Sequence, residues 1–167
     1  MIEIRLLRKE DKRGDFTCGH IELDYYFQQF AGQNQFKNYI GTNYIALQES
    51  KIIAFVSVST GEIYRENLGT EEKKNLPSYP LSVLRITRLG VHTQYQKSGI
   101  GRLLLKQMFL LALEQKRLVG CFGIVIDAKQ ESVEFYHKMG FTPLETTKPQ
   151  KNILMFIPTE VIEKAVS

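Results

Sequence analysis

Gln96-Lys97-Ser98-Gly99-Ile100-Gly101 is the stretch of this sequence best suited to chemistry. Its glycines at 99 and 101 stand between a strand-like run, Leu84-Arg85-Ile86-Thr87-Arg88-Leu89-Gly90-Val91, and a strongly helical one that begins at Arg102. The first N–H groups of a helix have no intrahelical partner, and the aligned peptide dipoles concentrate partial positive charge there. Main chain alone can therefore hold a phosphate at such a turn, and glycine lets the backbone approach it without a Cβ in the way.

Two familiar phosphate loops are excluded by spacing. A Walker loop needs Lys-Ser or Lys-Thr after its last glycine, and a dinucleotide fingerprint needs three glycines near the start of a βαβ unit. The run instead resembles Gln/Arg-x-x-Gly-x-Gly/Ala, the pyrophosphate signature of the GNAT acetyltransferases, which bind acetyl-coenzyme A. Leu89-Gly90-Val91 is similar to the strand which that family pairs with the pantetheine arm, and Phe135-Tyr136-His137-Lys138-Met139-Gly140-Phe141 to its downstream F-Y-x-x-x-G-F. The resemblance implies cofactor contacts from Gln96, Lys97, Ser98, Gly99, Ile100, Gly101 and Arg102. It also implies that backbone N–H groups of Leu89, Gly90 and Val91 hold the carbonyl and amides of the cofactor where two central strands splay.

Acetyl transfer from a thioester to an amine needs a neutral amine, a donor for the developing oxyanion and a proton for the departing thiolate. By its place in the motif, Tyr136 is the residue the resemblance makes the acid; the plain alternative is a core tyrosine anchoring a short helix. A base is harder to find. Family members often carry a Glu on the strand before the glycine loop, yet Leu81 to Val91 holds no Asp, Glu or His. His92 and Asp127 are left as water-mediated helpers, against the plainer expectation that His92 sits on the surface at the end of a strand and Asp127 holds the loop before a short helix. The missing base speaks to the acceptor. A lysine amine with pKa near 10.4 is neutral in about one molecule in 2500 at pH 7, an α-amine near 8 in about one in ten. An α-amine, best one acidified by an adjoining ester, suits such a site.

A narrower resemblance agrees. The run from Phe16 through Ala31, followed by Gln33-Asn34-Gln35, is similar to the opening of the GNAT toxins of bacterial toxin-antitoxin modules, as are Leu76-Pro77-Ser78-Tyr79-Pro80 and Thr87-Arg88-Leu89-Gly90-Val91, which is usually G-R-L-A-V there. The similarity spans Phe16 to Leu144. It implies acetylation of the α-amine of aminoacyl-tRNA, an antitoxin protein as partner, and room for a homodimer. The subgroup's basic cluster after the first helix is reduced here to Lys37, and Thr87 replaces its usual Gly. Lys37, Arg85 and Arg88 are the candidate substrate-facing cations. Acetylation of a small amine or a protein N-terminus, and a coenzyme A-binding regulatory module without catalysis, are the alternatives; an acid at Tyr136 would be superfluous in the last.

The elements must deliver these residues to one place. At 167 residues the chain suits a single domain, residues 1–167, with a core of its own. The start lacks the apolar region of a signal peptide, and no uncharged run reaches the length of a membrane span, so a cytoplasmic protein is expected. Cys18 and Cys121 form no disulfide or metal pattern, and Cys121 reads as a small core residue. The net charge of +4 suits an anionic partner, although runs such as Lys9 to Arg13 read as solvated faces. Ile2, Ile4 and Leu6 alternate with Glu3 and Arg5 as a half-buried strand, and Ile21 through Gln35 has helical spacing. Tyr44 to Leu47 and Ile52 to Val58 form a hairpin about Gln48 to Lys51. A polar segment, Gly61 to Pro80, with a helix-like piece at Thr70 to Asn75, should lie over a sheet edge. The helix after the glycine loop carries Ile100, Leu103, Leu104, Met108 and Leu111 on one face and stops before Gly120. Cys121 to Ile126 is a central strand, Gln130 to Lys138 a short helix closed by Gly140, Ile153 to Ile157 a last strand and Thr159 to Ala165 a closing helix. The order predicts an α/β (α+β) GNAT fold with a mixed, mostly antiparallel central sheet flanked by helices.

Overall fold

A computed structural model describes residues 1–69, 75–145 and 152–166 of the chain. Seven strands hydrogen-bond in the order β1-β2-β3-β4-β5-β7-β6: β1 (Ile2–Leu6), β2 (Thr42–Gln48), β3 (Lys51–Ile63), β4 (Leu81–Val91), β5 (Gly123–Ala128), β6 (Thr142–Pro143) and β7 (Ile153–Pro158). The registered pairs β1–β2, β2–β3, β5–β7 and β6–β7 are all antiparallel. Five helices accompany them: α1 (Ile21–Gln29), α2 (Ala31–Phe36), α3 (Ile100–Leu118), α4 (Val133–Lys138) and α5 (Thr159–Val166). The mostly antiparallel sheet is as the sequence predicts, and so is the order of elements but for the short β6, which the sequence reading lacks, and a divided first helix. Among the described residues no helix is long and apolar enough to cross a membrane. The piece expected at Thr70 to Asn75 lies, but for Asn75, outside the described residues.

The described residues form two compact units, Met1–Ser59 with Ile86–Met108 and Thr60–Arg85 with Phe109–Ser167. In the first, β2 and β3 meet at a two-residue hairpin whose Glu49 and Ser50 both take positive φ, the geometry that matches the twist of paired strands. Its core gathers Leu7, Phe16, Cys18, Tyr26, Phe27, Ala31, Ile45, Leu47, Ile52 and Phe55. Phe27 stacks on Phe55 at 4.3 Å and Phe16 meets both edge-on. The single helix expected over Ile21 to Gln35 is two, with the break at Phe30 (φ −115°). The break lets Tyr26, Phe27 and Ala31 all reach the core. Arg13 secures the corner: its Nη1 donates to Phe27 O at 3.3 Å, and its guanidinium fills the space beside Gly32.

A buried polar set docks α2. The Asn43 amide donates to Ala31 O (3.1 Å) and Gln35 Oε1 (3.0 Å) and accepts from the Ser57 hydroxyl, while Gln35 Nε2 donates to Leu7 O at 3.0 Å. Each buried side-chain N or O among the described residues has a partner. The β1 expectation needs correction: Leu6 is exposed and Leu7 is buried, because the chain turns inward after β1 where Leu7 N bonds Asn43 O.

The second unit packs Ile63, Leu68, Leu81, Val83, Val125 and Phe156 into a core. β5 is buried on both faces except at Asp127, as a central strand should be. Cys121 is buried, its thiol directed to Gly123 O, and Thr159 Oγ1 donates to Cys121 O at 2.7 Å, which joins α5 to the entry of β5. The buried face of α3 is Ile100, Leu104, Leu105, Met108, Phe109 and Ala112. Leu103, expected on it, is exposed and Leu111 is half-buried: six consecutive residues from Arg102 to Gln107 include three leucines, and period alone did not fix which of them point inward.

Candidate active site

In the first unit, β4 ends at Val91 and a 3-10 turn, Thr93–Tyr95, leads into the glycine loop. Lys97 (φ +62°) and Gly99 (φ +88°) both take left-handed conformations on either side of Ser98, whose hydroxyl donates to Tyr95 O. Gly99 O accepts from Leu103 N at 3.1 Å, so Gly99 caps α3. The amides of Ile100, Gly101 and Arg102 are thus left without a backbone partner among the described residues, at the positive end of a 19-residue helix. A Cβ built on Gly99 would meet nothing within 4 Å. Free amides, helix dipole and open space fit the pyrophosphate of acetyl-coenzyme A. Lys97 and Arg102 are exposed beside it, while Ile100 is buried and anchors the loop.

Gln96 has a different part from a simple ligand. Its Nε2 donates to Val91 O (2.9 Å) and Cys18 O (2.8 Å), so the side chain that opens the motif holds the loop to the end of β4 and to the N-terminal segment. Leu89 and Val91 are half-buried and Gly90 buried. The subgroup pattern G-R-L-A-V carries Ala at Gly90, and here a Cβ would lie 2.9 Å from Phe55 Cε1 and 3.3 Å from Cys18 Sγ. Phe55 is fully buried against Phe27 and cannot yield. Gly90→Ala should therefore destabilise the fold by about 1–3 kcal/mol, read as a lower midpoint in urea unfolding at unchanged slope. Thr87, in place of the usual Gly, donates its hydroxyl to Ser57 O at 3.2 Å.

His92 is not a surface residue. It is buried, its N–H donates to Ile53 O (2.8 Å), and its ring lies edge-on to Phe16 and Tyr95. Nδ1 accepts from Gln94 N at 3.2 Å, which leaves the neutral ring's proton on Nε2. Burial, then the charge of Lys51, pushes its pKa below the ordinary value against the opposing pull of Asp24. The sequence signal for a surface position, polar neighbours Thr93 and Gln94, missed the ring of Phe16 from far up the chain. Asp127 also departs from expectation: it lies within β5, opposite Leu154, and is exposed rather than holding a loop.

In the second unit, Tyr136 sits in α4 with its ring between Phe135 (5.2 Å) and Phe141 (5.7 Å). Phe141 N bonds Tyr136 O, and Gly140 (φ +105°) closes the helix. The residue is 6% exposed. Its hydroxyl has no hydrogen-bond partner among the described residues, and since each fully buried polar atom there has one, the hydroxyl is the part that reaches the surface. Burial pushes the phenol well above its usual pKa. The neutral, protonated phenol is the form that burial favours.

The candidate substrate-facing cations have separate neighbours. Arg88 lies 3.8 Å from the Tyr26 ring centroid, the aliphatic stem of Arg85 packs beside Gly61, and Lys37 is exposed at the end of α2. Two members of the run Lys9 to Arg13 are drawn to α2 instead of lying free: Lys9 stands over the Phe36 ring at 5.9 Å, and Arg13 beside Gly32. No group of metal-ligating side chains occurs among the described residues.

Comparison with known proteins bears on this geometry. The tRNA-acetylating toxin of Mycobacterium tuberculosis (strain H37Rv) is 20% identical over 134 residues, 80% of this chain and 79% of the toxin. Among solved structures, AtaT complexed with acetyl-methionyl-tRNAfMet matches at TM-score 0.88 and 21% identity over 100% of both chains. AtaTR bound with AcCoA matches at 0.82 and 21% over 99% and 98%, and an AtaT mutant bound to the C-terminus of the antitoxin AtaR at 0.83 and 18% over 100% and 98%. These share the fold of this chain. The acetyltransferase (GNAT) domain family itself matches residues 40–143, a span that contains β2 to β6, the glycine loop and Tyr136, and the chain belongs to that family.

Proposed function

We propose that this protein transfers the acetyl group of acetyl-coenzyme A to the α-amine of aminoacyl-tRNA in the cytoplasm, with both units acting as one acetyltransferase domain over residues 1–167. The observation that carries the cofactor half is the α3 N-terminus, with three free amides beside the open, left-handed Gly99. When bound, the cofactor supplies an activated thioester. Leu89, Gly90 and Val91 would orient its pantetheine arm, and Lys97, Ser98, Gly101 and Arg102 would hold its phosphates. Tyr136, kept protonated by burial, would give its proton to the departing thiolate. The acceptor half is supported by the tRNA-acetylating relative and by the absence of any acidic residue or His in β4. Lys37, with Lys9 and Arg13 beside α2, and Arg85 and Arg88 on β4 would meet phosphates. An antitoxin would be the protein partner.

Gly101→Val should weaken acetyl-coenzyme A binding at least tenfold, about 1.4 kcal/mol, because a branched Cβ would stand among the free amides that would hold the pyrophosphate. Calorimetry on the folded variant measures it, and undiminished affinity would remove the site. For the acceptor, labelled acetyl-coenzyme A is incubated in parallel with total aminoacyl-tRNA, total protein and a panel of amines. Label in the tRNA fraction is expected; label in the amine or protein fraction alone would overturn the tRNA reading and leave an acetyltransferase.

A further inference from the structure

We propose that Asp24 of α1 is a positioning residue for the glycine loop, acting through the turn at residues 17–19 and the side chain of Gln96. The inference lies within the first unit and rests on the reading of that loop as the cofactor's phosphate site. The Asp24 carboxylate accepts from two consecutive residues of the turn: Oδ1 from Cys18 N and Oδ2 from Thr17 Oγ1, both at 2.8 Å. An ionised acceptor makes such bonds stronger than neutral pairs. The same two residues present their carbonyls to the loop. Cys18 O accepts from Gln96 Nε2 at 2.8 Å and Thr17 O from Thr93 N at 3.0 Å. Gln96 spends its other amide hydrogen on Val91 O. One carboxylate therefore fixes the turn, and the turn fixes both ends of the segment that enters the loop.

A loop held in its binding geometry before the ligand arrives loses less freedom on binding. The left-handed Lys97 makes that holding useful, since a non-glycine residue in that conformation relaxes readily once released. Asp24 also reaches back over the first turn of α1, and stabilising that helix would be its whole role if turn and loop were not joined.

A double-mutant cycle separates the two. Asp24→Ala and Gln96→Ala should each weaken acetyl-coenzyme A binding about five- to tenfold, and the double variant should be no worse than the weaker single, since either change severs the same route. Asp24→Asn, which keeps one carbonyl oxygen as acceptor, should recover part of the loss. Losses that multiply, or normal affinity in a folded Asp24→Ala protein, overturn the proposal. Hydrogen exchange in the cofactor-free protein is the second measurement: the hydrogen-bonded amides that flank the loop, Thr93, Tyr95 and Leu103, should exchange faster in Asp24→Ala, and in the milder Asp24→Asn and Thr17→Val, while those of β2 keep their protection. Unchanged protection of the loop also overturns it. Should the wild-type protein not bind acetyl-coenzyme A, the cofactor reading fails, and hydrogen exchange alone still decides whether Asp24 holds the loop.

Discussion

Tyr136→Phe is expected to lower kcat by about 10²–10⁴-fold, the usual worth of a positioned general acid, with acetyl-coenzyme A affinity and thermal midpoint close to wild type. The ring is held by Phe135 and Phe141, so phenylalanine fills the same space. The hydroxyl bonds no described residue, so its removal leaves no partner unsatisfied. Packing and chemistry are thereby separated at one atom. Because burial raises the phenol's pKa, the acid stays protonated from pH 7 to 9, and the rate should climb over that range as the acceptor amine loses its proton. A fall in kcat across it, or a variant that keeps most of its turnover, would reduce Tyr136 to a packing residue. Expression in a bacterial host should arrest growth with the wild-type protein and spare it with the variant.

The second large effect is that of salt. Contacts to RNA phosphates release counterions, and with about three such contacts a rise from 50 to 200 mM salt should cut kcat/KM for charged tRNA about 20–40-fold. Lys37, Lys9 and Arg13 about α2 and Arg88 over Tyr26 form no ion pair with an acidic side chain among the described residues. Their charge is available to a polyanion. Lys37→Ala should reduce the slope of log(kcat/KM) against log[salt] by about one. A rate indifferent to salt would point to a small uncharged amine as acceptor.

The glycine loop was legible because its backbone course is set locally, although its anchors to residues 17 and 18 are not. A strand, two glycines and a helix in one stretch fix its geometry, and Lys97 alone adds an unforeseen left-handed residue. The order of elements was legible for the same reason. What escaped was decided by partners distant in sequence. Gln96 reads as a motif position until Cys18, 78 residues away, brings its carbonyl to the amide. His92 reads as surface until Phe16 covers it. The break at Phe30 follows from the pull of Phe27 and Ala31 into a core that β3 supplies, and no proline marks it. Leu6 and Leu7 have the same hydropathy, and the hydrogen bond from Leu7 N to Asn43 O chooses between them.

The polar set around Asn43 has a consequence for fidelity. Oily contacts are tolerant of sliding by two, since a side chain displaced by two positions keeps its face and still meets something greasy. A strand that slips by one residue turns its inward set outward. Asn43 raises the penalty for either slip, because its amide, the Gln35 amide, the Ser57 hydroxyl and the carbonyls of Ala31 and Leu7 complete one another only in a single alignment. Away from it, several would be entombed without partners, at about 1–3 kcal/mol each. The hydrophobic core draws α2 and β2 together, and this small lattice of amides acts as a combination lock that accepts one setting. Sequence drift at the surrounding apolar positions can then proceed without loss of registration.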